Sequence, residues 1–222
     1  MNATATNLPE VLGLGRVAAE HGAKAMLVMP PYYFRGASRA GFVDFFRRVL
    51  DATPLPVLLY HFPAQSGVDL GLDAVASLAA HRNFVGVKVS ESKIEPVLAF
   101  IEQARLRILV GNDHLVEEGI ARGAAGAVTV CSNIWPGLVR QIAAEAARGG
   151  EPDDLQKRLS RARLVIDRFG GIAAAKTILE FRGLSRGFVR PPLVSLGDVE
   201  KAALRAAYET LLASMKDGKD RS

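Results

Sequence analysis

Short apolar runs rich in Val, Leu and Ile recur along the chain, over residues 25–29, 56–60, 84–88, 107–110 and 126–130. Around and between them, apolar positions return every three or four residues over 8–21, 39–52, 72–80, 94–104 and 115–122, the spacing of one helix face. In the first of these stretches Leu8, Val11, Leu12, Leu14, Val17 and Ala18 form that face. Strands that are apolar almost throughout belong to parallel sheets covered by helices, whereas half-solvated antiparallel strands alternate. Strand-to-strand spacings of roughly 20 to 30 residues leave room for a crossover helix in each unit. Gly22 and Gly123 stand where helix ends want a left-handed residue, just before the first and last strands. After Val130 the strand signal stops, and helices are predicted over 138–148, 155–169, 172–182 and 196–215. The fold class is therefore α/β. Expected boundaries are 1–135 for the strand–helix part, 136–215 for the C-terminal helices and 216–222 for a frayed tail. Periodicity alone fits both an open doubly wound sheet and a (β/α) barrel.

Composition narrows the function without naming it. At 49% hydrophobic and 23% charged over 222 residues, the chain has an ordinary globular balance and can bury a sizeable core. No apolar run approaches the roughly 18 residues of a membrane span. The first residues lack the basic and apolar regions of a signal peptide, so a cytoplasmic location is expected. The net charge of +5 raises the question of a nucleic-acid partner. The basic residues, however, are scattered among acidic ones on helical stretches (Arg47, Arg48, Arg140, Arg148, Lys157, Arg158, Arg161, Arg163), with no interleaved aromatics. Solvated helix faces or an anionic small substrate explain them better. Cys131 is the only cysteine, which rules out an internal disulfide, and it reads as a small core residue. His21, His61, His81 and His114 lie apart, without metal-ligand spacing, so no metal is expected. No Gly-x-Gly-x-x-Gly follows a strand and no P-loop is present, so no nucleotide cofactor is expected either.

Chemistry in parallel α/β folds sits at the C-terminal ends of the strands. Those ends read Pro30-Pro31-Tyr32-Tyr33, Tyr60-His61-Phe62-Pro63, Lys88, Gly111-Asn112-Asp113 and Thr129-Val130-Cys131. Lys88 stands out, because apolar residues surround it. An isolated buried charge is costly, and such a site favours the neutral amine that attacks a ketone carbon. The plainer alternative is a lysine whose head reaches solvent or pairs with a carboxylate such as Glu91. Tyr60 ends the preceding strand, so its phenol can enter the same mouth and move protons beside the amine. A sheet-capping aromatic is the alternative there.

Tyr60-His61-Phe62-Pro63-Ala64-Gln65-Ser66-Gly67-Val68, followed by Val85-Gly86-Val87-Lys88, resembles the dihydrodipicolinate synthase/N-acetylneuraminate lyase family of class I aldolases. Pro30-Pro31-Tyr32-Tyr33, Gly111-Asn112-Asp113, the 126–133 segment with Pro136, and Arg190-Pro191-Pro192-Leu193 extend the resemblance over about residues 7 to 210. The resemblance implies a (β/α)8 TIM-barrel-type fold with a helical C-terminal extension, and a homo-oligomer, dimer or tetramer. It implies that Lys88 forms a Schiff base with pyruvate or another 2-oxo acid and that Tyr60 shuttles protons. Tyr33 would complete the relay across a subunit interface. Val128, Gln65 and Gly111 would bind substrate. Imine chemistry provides its own electron sink, so no organic cofactor is implied.

Two departures from the family pattern carry consequences. Gln65 stands where the synthase branch has an arginine that grips a substrate carboxylate, and a neutral amide cannot make that bidentate contact. Cleavage of a sugar acid or hydroxy-oxo acid is therefore favoured over the synthase reaction. In addition, residues 2–7 correspond to the loop entering the barrel's third helix, so the first three strands are absent from these residues. The family's Gly-Thr-Thr/Ser-Gly-Glu loop is absent with them. A barrel needs eight strands and about 250 residues, so the expectation is a truncated member, its sheet edges at 25–29 and 126–130 unpaired. The alternative to an active lyase is a catalytically incompetent remnant lacking the substrate-carboxylate loop.

Overall fold

Five strands pair in the order of the chain, all parallel: β1 (Met26–Val28), β2 (Val57–His61), β3 (Phe84–Val89), β4 (Arg107–Val110) and β5 (Gly126–Ala127). That order decides what periodicity left open. A doubly wound sheet reverses its strand order at a switch point, whereas a barrel adds each strand on the same side. The computed structural model describes residues 1–103, 106–184 and 187–216. They fall into two compact units, Met1–Val128 and Thr129–Ser222.

In the first unit the strands are joined by α1 (Leu8–Glu20), α2 (Arg39–Ala52), α3 (Pro63–Ser66), α4 (Gly71–Leu78), α5 (Ile94–Gln103) and α6 (Val116–Ala121). Local chemistry sets where these helices begin. Asn7 caps α1 by accepting the Glu10 N–H at 3.0 Å, and its own amide donates to the Glu10 carboxylate at 3.2 Å. Ser38 caps α2 by accepting from Gly41 N. The four-residue α3 has no counterpart in the apolar pattern; Pro63 starts it and Gly67, at φ 67°, ends it. The second unit is helical: α7 (Pro136–Ala146), α8 (Asp153–Arg168), α9 (Ile172–Phe181) and α10 (Asp198–Lys216). From residue 217 on, the expected tail lies outside the described residues, as does residue 104 of the helix expected over 94–104.

The sheet of the first unit is two-sided in burial. Met26, Val28, Val57, Leu59, His61, Val87, Val89, Ile108 and Val110 are buried, and this is the helix face. Gly15 of α1 packs on the Met26 thioether there, and Gly119 of α6 on the Val110 methyl. Each buried Leu, Ile or Val on that face stabilises the fold by about 1.5–3 kcal/mol. On the opposite face Leu27, Leu58, Tyr60 and Leu109 are only half-buried.

Two expectations need correction. The last strand is Gly126–Ala127 rather than 126–130. Its neighbour β4 ends at Val110, so the Val128 N–H bond to the Val110 carbonyl (2.9 Å) is the last that can form. Cys131–Asn133 then turn into a 3-10 helix, with Cys131 buried as expected. The β1 edge is not bare either. Asn2 forms a parallel bridge with Leu27: Leu27 N donates to the Met1 carbonyl (2.8 Å) and Ala3 N to the Leu27 carbonyl (2.9 Å). Residues expected to be loop thus act as a short strand end, with Ala3 and Ala5 buried behind it.

Candidate functional site

Lys88 is the direct register partner of Tyr60 on β2 and of Leu109 on β4. Paired residues of parallel strands share a face, so Lys88 and Tyr60 rise together from the half-buried side of the sheet. Lys88 is only 9% exposed, and its Nζ stands 4.1 Å above the centroid of the Tyr60 ring. Phe62 stacks on that ring at 5.7 Å and fixes its plane. The amine therefore meets the phenol's face rather than its hydroxyl, a contact worth about 0.5–2 kcal/mol to an ammonium. Among the described residues no carboxylate pairs with Lys88. Glu91, the partner offered by the plainer sequence reading, is engaged by His61 at 3.3 Å instead.

Backbone packing holds the pair from beneath. Two residues before Lys88, Gly86 has no side chain because a Cβ there would collide with the Arg107 carbonyl oxygen on β4. Glycine at this position lets β3 and β4 close up directly under the amine.

Ser90 was not singled out by the sequence. Strand alternation carries it to the Lys88 face, two residues further toward the mouth. Its Oγ is buried without a hydrogen-bond partner among the described residues, although its N–H continues the ladder to the His61 carbonyl at 2.9 Å. Gly111 faces it from the end of β4, and a Cβ on Gly111 would run into the Ser90 hydroxyl. An unpaired buried hydroxyl costs about 1–3 kcal/mol, and such groups call for a functional explanation. Its signal in the sequence was the two-residue step from Lys88.

The remaining candidates lie outside this contact. Gln65 is exposed on α3. The Arg35 side chain rests against Gly67 beside it and donates from Nε to the Tyr32 carbonyl at 3.2 Å. Tyr33 is 76% exposed, edge-on to Phe34 at 5.2 Å. Val128 directly follows β5 and is 46% exposed. Lys88, Tyr60, Ser90 and Gly111 are thus brought together, Val128 continues β5 on the same face, and Tyr33 and Gln65 are exposed.

On the helix face, the buried His61 donates to Glu91 and packs edge-on against Phe100 of α5 at 4.9 Å. Burial holds its imidazole below the ordinary 6.5, with the carboxylates of Asp69 and Glu91 pulling the other way. Among the described residues no cluster of three or more His, Cys, Asp or Glu side chains can hold a metal ion. No helix among them is long and apolar enough to cross a membrane.

A sheet wound in one direction, with a buried lysine facing a tyrosine at its strand ends, is the layout of a barrel-type carbon–carbon lyase. The chain belongs to the dihydrodipicolinate synthetase family, whose model matches residues 1–211. It is 35% identical over 212 residues to a DapA-like lyase of Chloroflexus aurantiacus, covering 93% of this chain and 71% of that one. With a probable mitochondrial 4-hydroxy-2-oxoglutarate aldolase of Emericella nidulans it shares 31% over 222 residues, 92% of this chain and 71% of the other. A crystal structure of chloride-inhibited dihydrodipicolinate synthase from Acinetobacter baumannii, complexed with pyruvate, superposes with a TM-score of 0.87 at 26% identity. That likeness covers 95% of this chain and 73% of the other.

Proposed function

We propose that Lys88 forms an imine with the keto carbon of pyruvate or a related 2-oxo acid, and that the chain makes or breaks the bond between the carbon next to it and the carbon beyond. The observation that carries this reading is the buried Lys88 amine, free of any carboxylate among the described residues and held over the Tyr60 ring. On giving up a proton the Lys88 amine adds to the keto carbon, and loss of water from the carbinolamine leaves an iminium. In cleavage, the hydroxyl two carbons from the iminium carbon gives up its proton and becomes an aldehyde. The electrons of the broken bond move into an enamine. Protonation of the enamine carbon and hydrolysis of the imine then release the 2-oxo acid and restore Lys88. Tyr60 carries protons to and from the substrate, and Tyr33 extends that relay from a neighbouring subunit of a cytoplasmic dimer or tetramer. The Ser90 hydroxyl, with Gly111 leaving room for it, receives a substrate oxygen. Val128 presents its backbone beside the keto acid.

Gln65 directs the choice of substrate. An amide on α3 does not grip a carboxylate as an arginine fork does, so a hydroxy-oxo acid or sugar acid is favoured over the synthase substrate. The aldolase named among the relatives supports this direction, and the pyruvate of the Acinetobacter complex supports the donor.

Pyruvate and borohydride, added to the full chain, test the reading by intact mass and peptide mapping. A reduced pyruvate adduct on Lys88 is expected, and it should vanish in Lys88→Ala. An intact chain that yields no adduct is a remnant of a lyase rather than a working one.

A further inference from the structure

Behind the Lys88–Tyr60 pair, on the helix side of the same strands, lies a cavity of about 320 Å³ lined by His61, Asp69, Leu72, Glu91, Pro96 and Phe100 among others. His61 is 5% exposed. Among the described residues it is the one ionisable side chain with the buried Val, Leu, Ile and Met residues of that face, and desolvating an imidazole is costly unless it is hydrogen-bonded. What it holds is visible in its bonds. Its carbonyl accepts the Ser90 N–H at 2.9 Å, and its Nε2 donates to the Glu91 carboxylate at 3.3 Å. The Glu91 carbonyl in turn accepts from the Asn112 amide at 3.0 Å, just past the end of β4. The His61 side chain thereby ties the end of β2 to the end of β3, and the Asn112 side chain ties in the end of β4. Tyr60 immediately precedes His61, and Lys88 lies two residues before Ser90 and three before Glu91.

We propose that His61 is a positioning residue: through Glu91 it sets the end of β2 against the end of β3 and so fixes the Tyr60 ring beneath the Lys88 amine. The consequence for chemistry rests on Lys88 being the reactive amine, as proposed above. The backbone bond from Ser90 fixes the register, and the His61–Glu91 bond fixes the twist of the two strand ends beyond the last paired residues. Phe100 of α5 braces the imidazole from the helix layer at 4.9 Å. The charged groups facing His61 in the cavity are Asp69 and Glu91. The side chains that α4 and α5 present there are uncharged, Leu72 from the first and Pro96, Ala99 and Phe100 from the second. A proton on His61 converts a single hydrogen bond into an attraction shared by two carboxylates, Glu91 and Asp69. The Glu91 contact must then readjust, and with it the strand ends.

Two readouts on the full chain test this. Competitive labelling with trace acetic anhydride reports the reactivity of the Lys88 amine without any substrate, and borohydride trapping with pyruvate reports imine formation. In His61→Gln, Lys88 labelling should change several-fold and trapping should slow about tenfold, the scale set by small misplacements of reacting groups. The pH dependence of labelling below neutrality should also flatten. Glu91→Ala, which breaks the same contact from a more exposed residue, should do likewise and covers the case in which His61→Gln fails to fold. Placed on a Tyr60→Leu background, neither substitution should change Lys88 further, because the partner to be positioned is gone. Unchanged Lys88 labelling in both variants, or effects that add to those of Tyr60→Leu, overturns the proposal. A wild-type chain that forms no pyruvate adduct but shows labelling dependent on His61 removes the proposed function and leaves the positioning role standing.

Discussion

Lys88 and Tyr60 face each other across β2 and β3 as direct register partners, with the amine 4.1 Å above the centre of the phenol ring. The contact divides the tyrosine into two parts, a face that supports the amine and a hydroxyl to which proton transfer is proposed. Tyr60→Phe keeps the face and removes only the hydroxyl. Its unfolding free energy should stay within about 0.5 kcal/mol of wild type, while turnover falls and pyruvate trapping on Lys88 persists. Tyr60→Leu removes the face as well and should cost about 0.5–2 kcal/mol in addition to the rate. Denaturant melts and trapping kinetics on the two variants separate the functions.

Ser90 should behave in the opposite sense. Its buried hydroxyl has no partner among the described residues, so Ser90→Ala removes an unsatisfied group and should stabilise the fold, by up to about 1–3 kcal/mol. The same change should weaken handling of a substrate oxygen and raise KM for the 2-oxo acid. A variant that is both less stable and unchanged in KM contradicts that assignment.

Stability should fall on acidification in a way that depends on His61. Burial holds its pKa below the unfolded value of 6.5, so between the two values the unfolded chain binds a proton that the folded chain does not. The neutral imidazole's contribution is complete above pH 6.5 and is lost as pH falls through 6.5 toward and below the folded value. Melting temperature from pH 7 to pH 5 should therefore drop more steeply in wild type than in His61→Gln. Parallel curves for the two proteins would show that other groups govern the acid limb.

Gly86→Ala should be disruptive although it adds a single methyl. The new Cβ meets the Arg107 carbonyl, a backbone atom that cannot swing aside as a side chain can. Overpacking of this kind costs about 1–3 kcal/mol. Because Gly86 lies under Lys88 on the same face, imine trapping should fall together with stability. Urea unfolding and trapping on the same sample would show the two losses together.

The fold was legible in the chain where burial is strong. The Val- and Leu-rich runs that became β2, β3 and β4 and the amphipathic stretch that became α2 emerge at nearly their expected bounds, because the burial that writes the pattern also stabilises the element. Elements held by backbone bonds rather than by apolar area left no such signal. Neither the bridge from Asn2 to Leu27 nor the four residues of α3 has a periodicity to detect. The end of β5 depended on the length of its neighbour, which its own residues do not encode. In the site, Lys88 and Tyr60 could be read because unlike neighbours frame them. Ser90 and His61 could not, since each owes its meaning to the face it occupies. A serine two steps after the lysine and a histidine one step after the tyrosine acquire roles only once strand alternation places them on opposite sides.

The two faces of the sheet set different limits on how this protein can change over time. Substitutions on the helix face, among residues such as Val57, Leu59 and Val87, are read out as abundance, because they decide whether the chain folds at all. Those on the Lys88 face, around Tyr60 and Leu109, bear on the proposed chemistry of the amine. One side of a strand thus holds the scaffold, and the other is the exploring side, where the proposed chemistry can vary. His61 is the place where a change on the holding side would be felt on the exploring one.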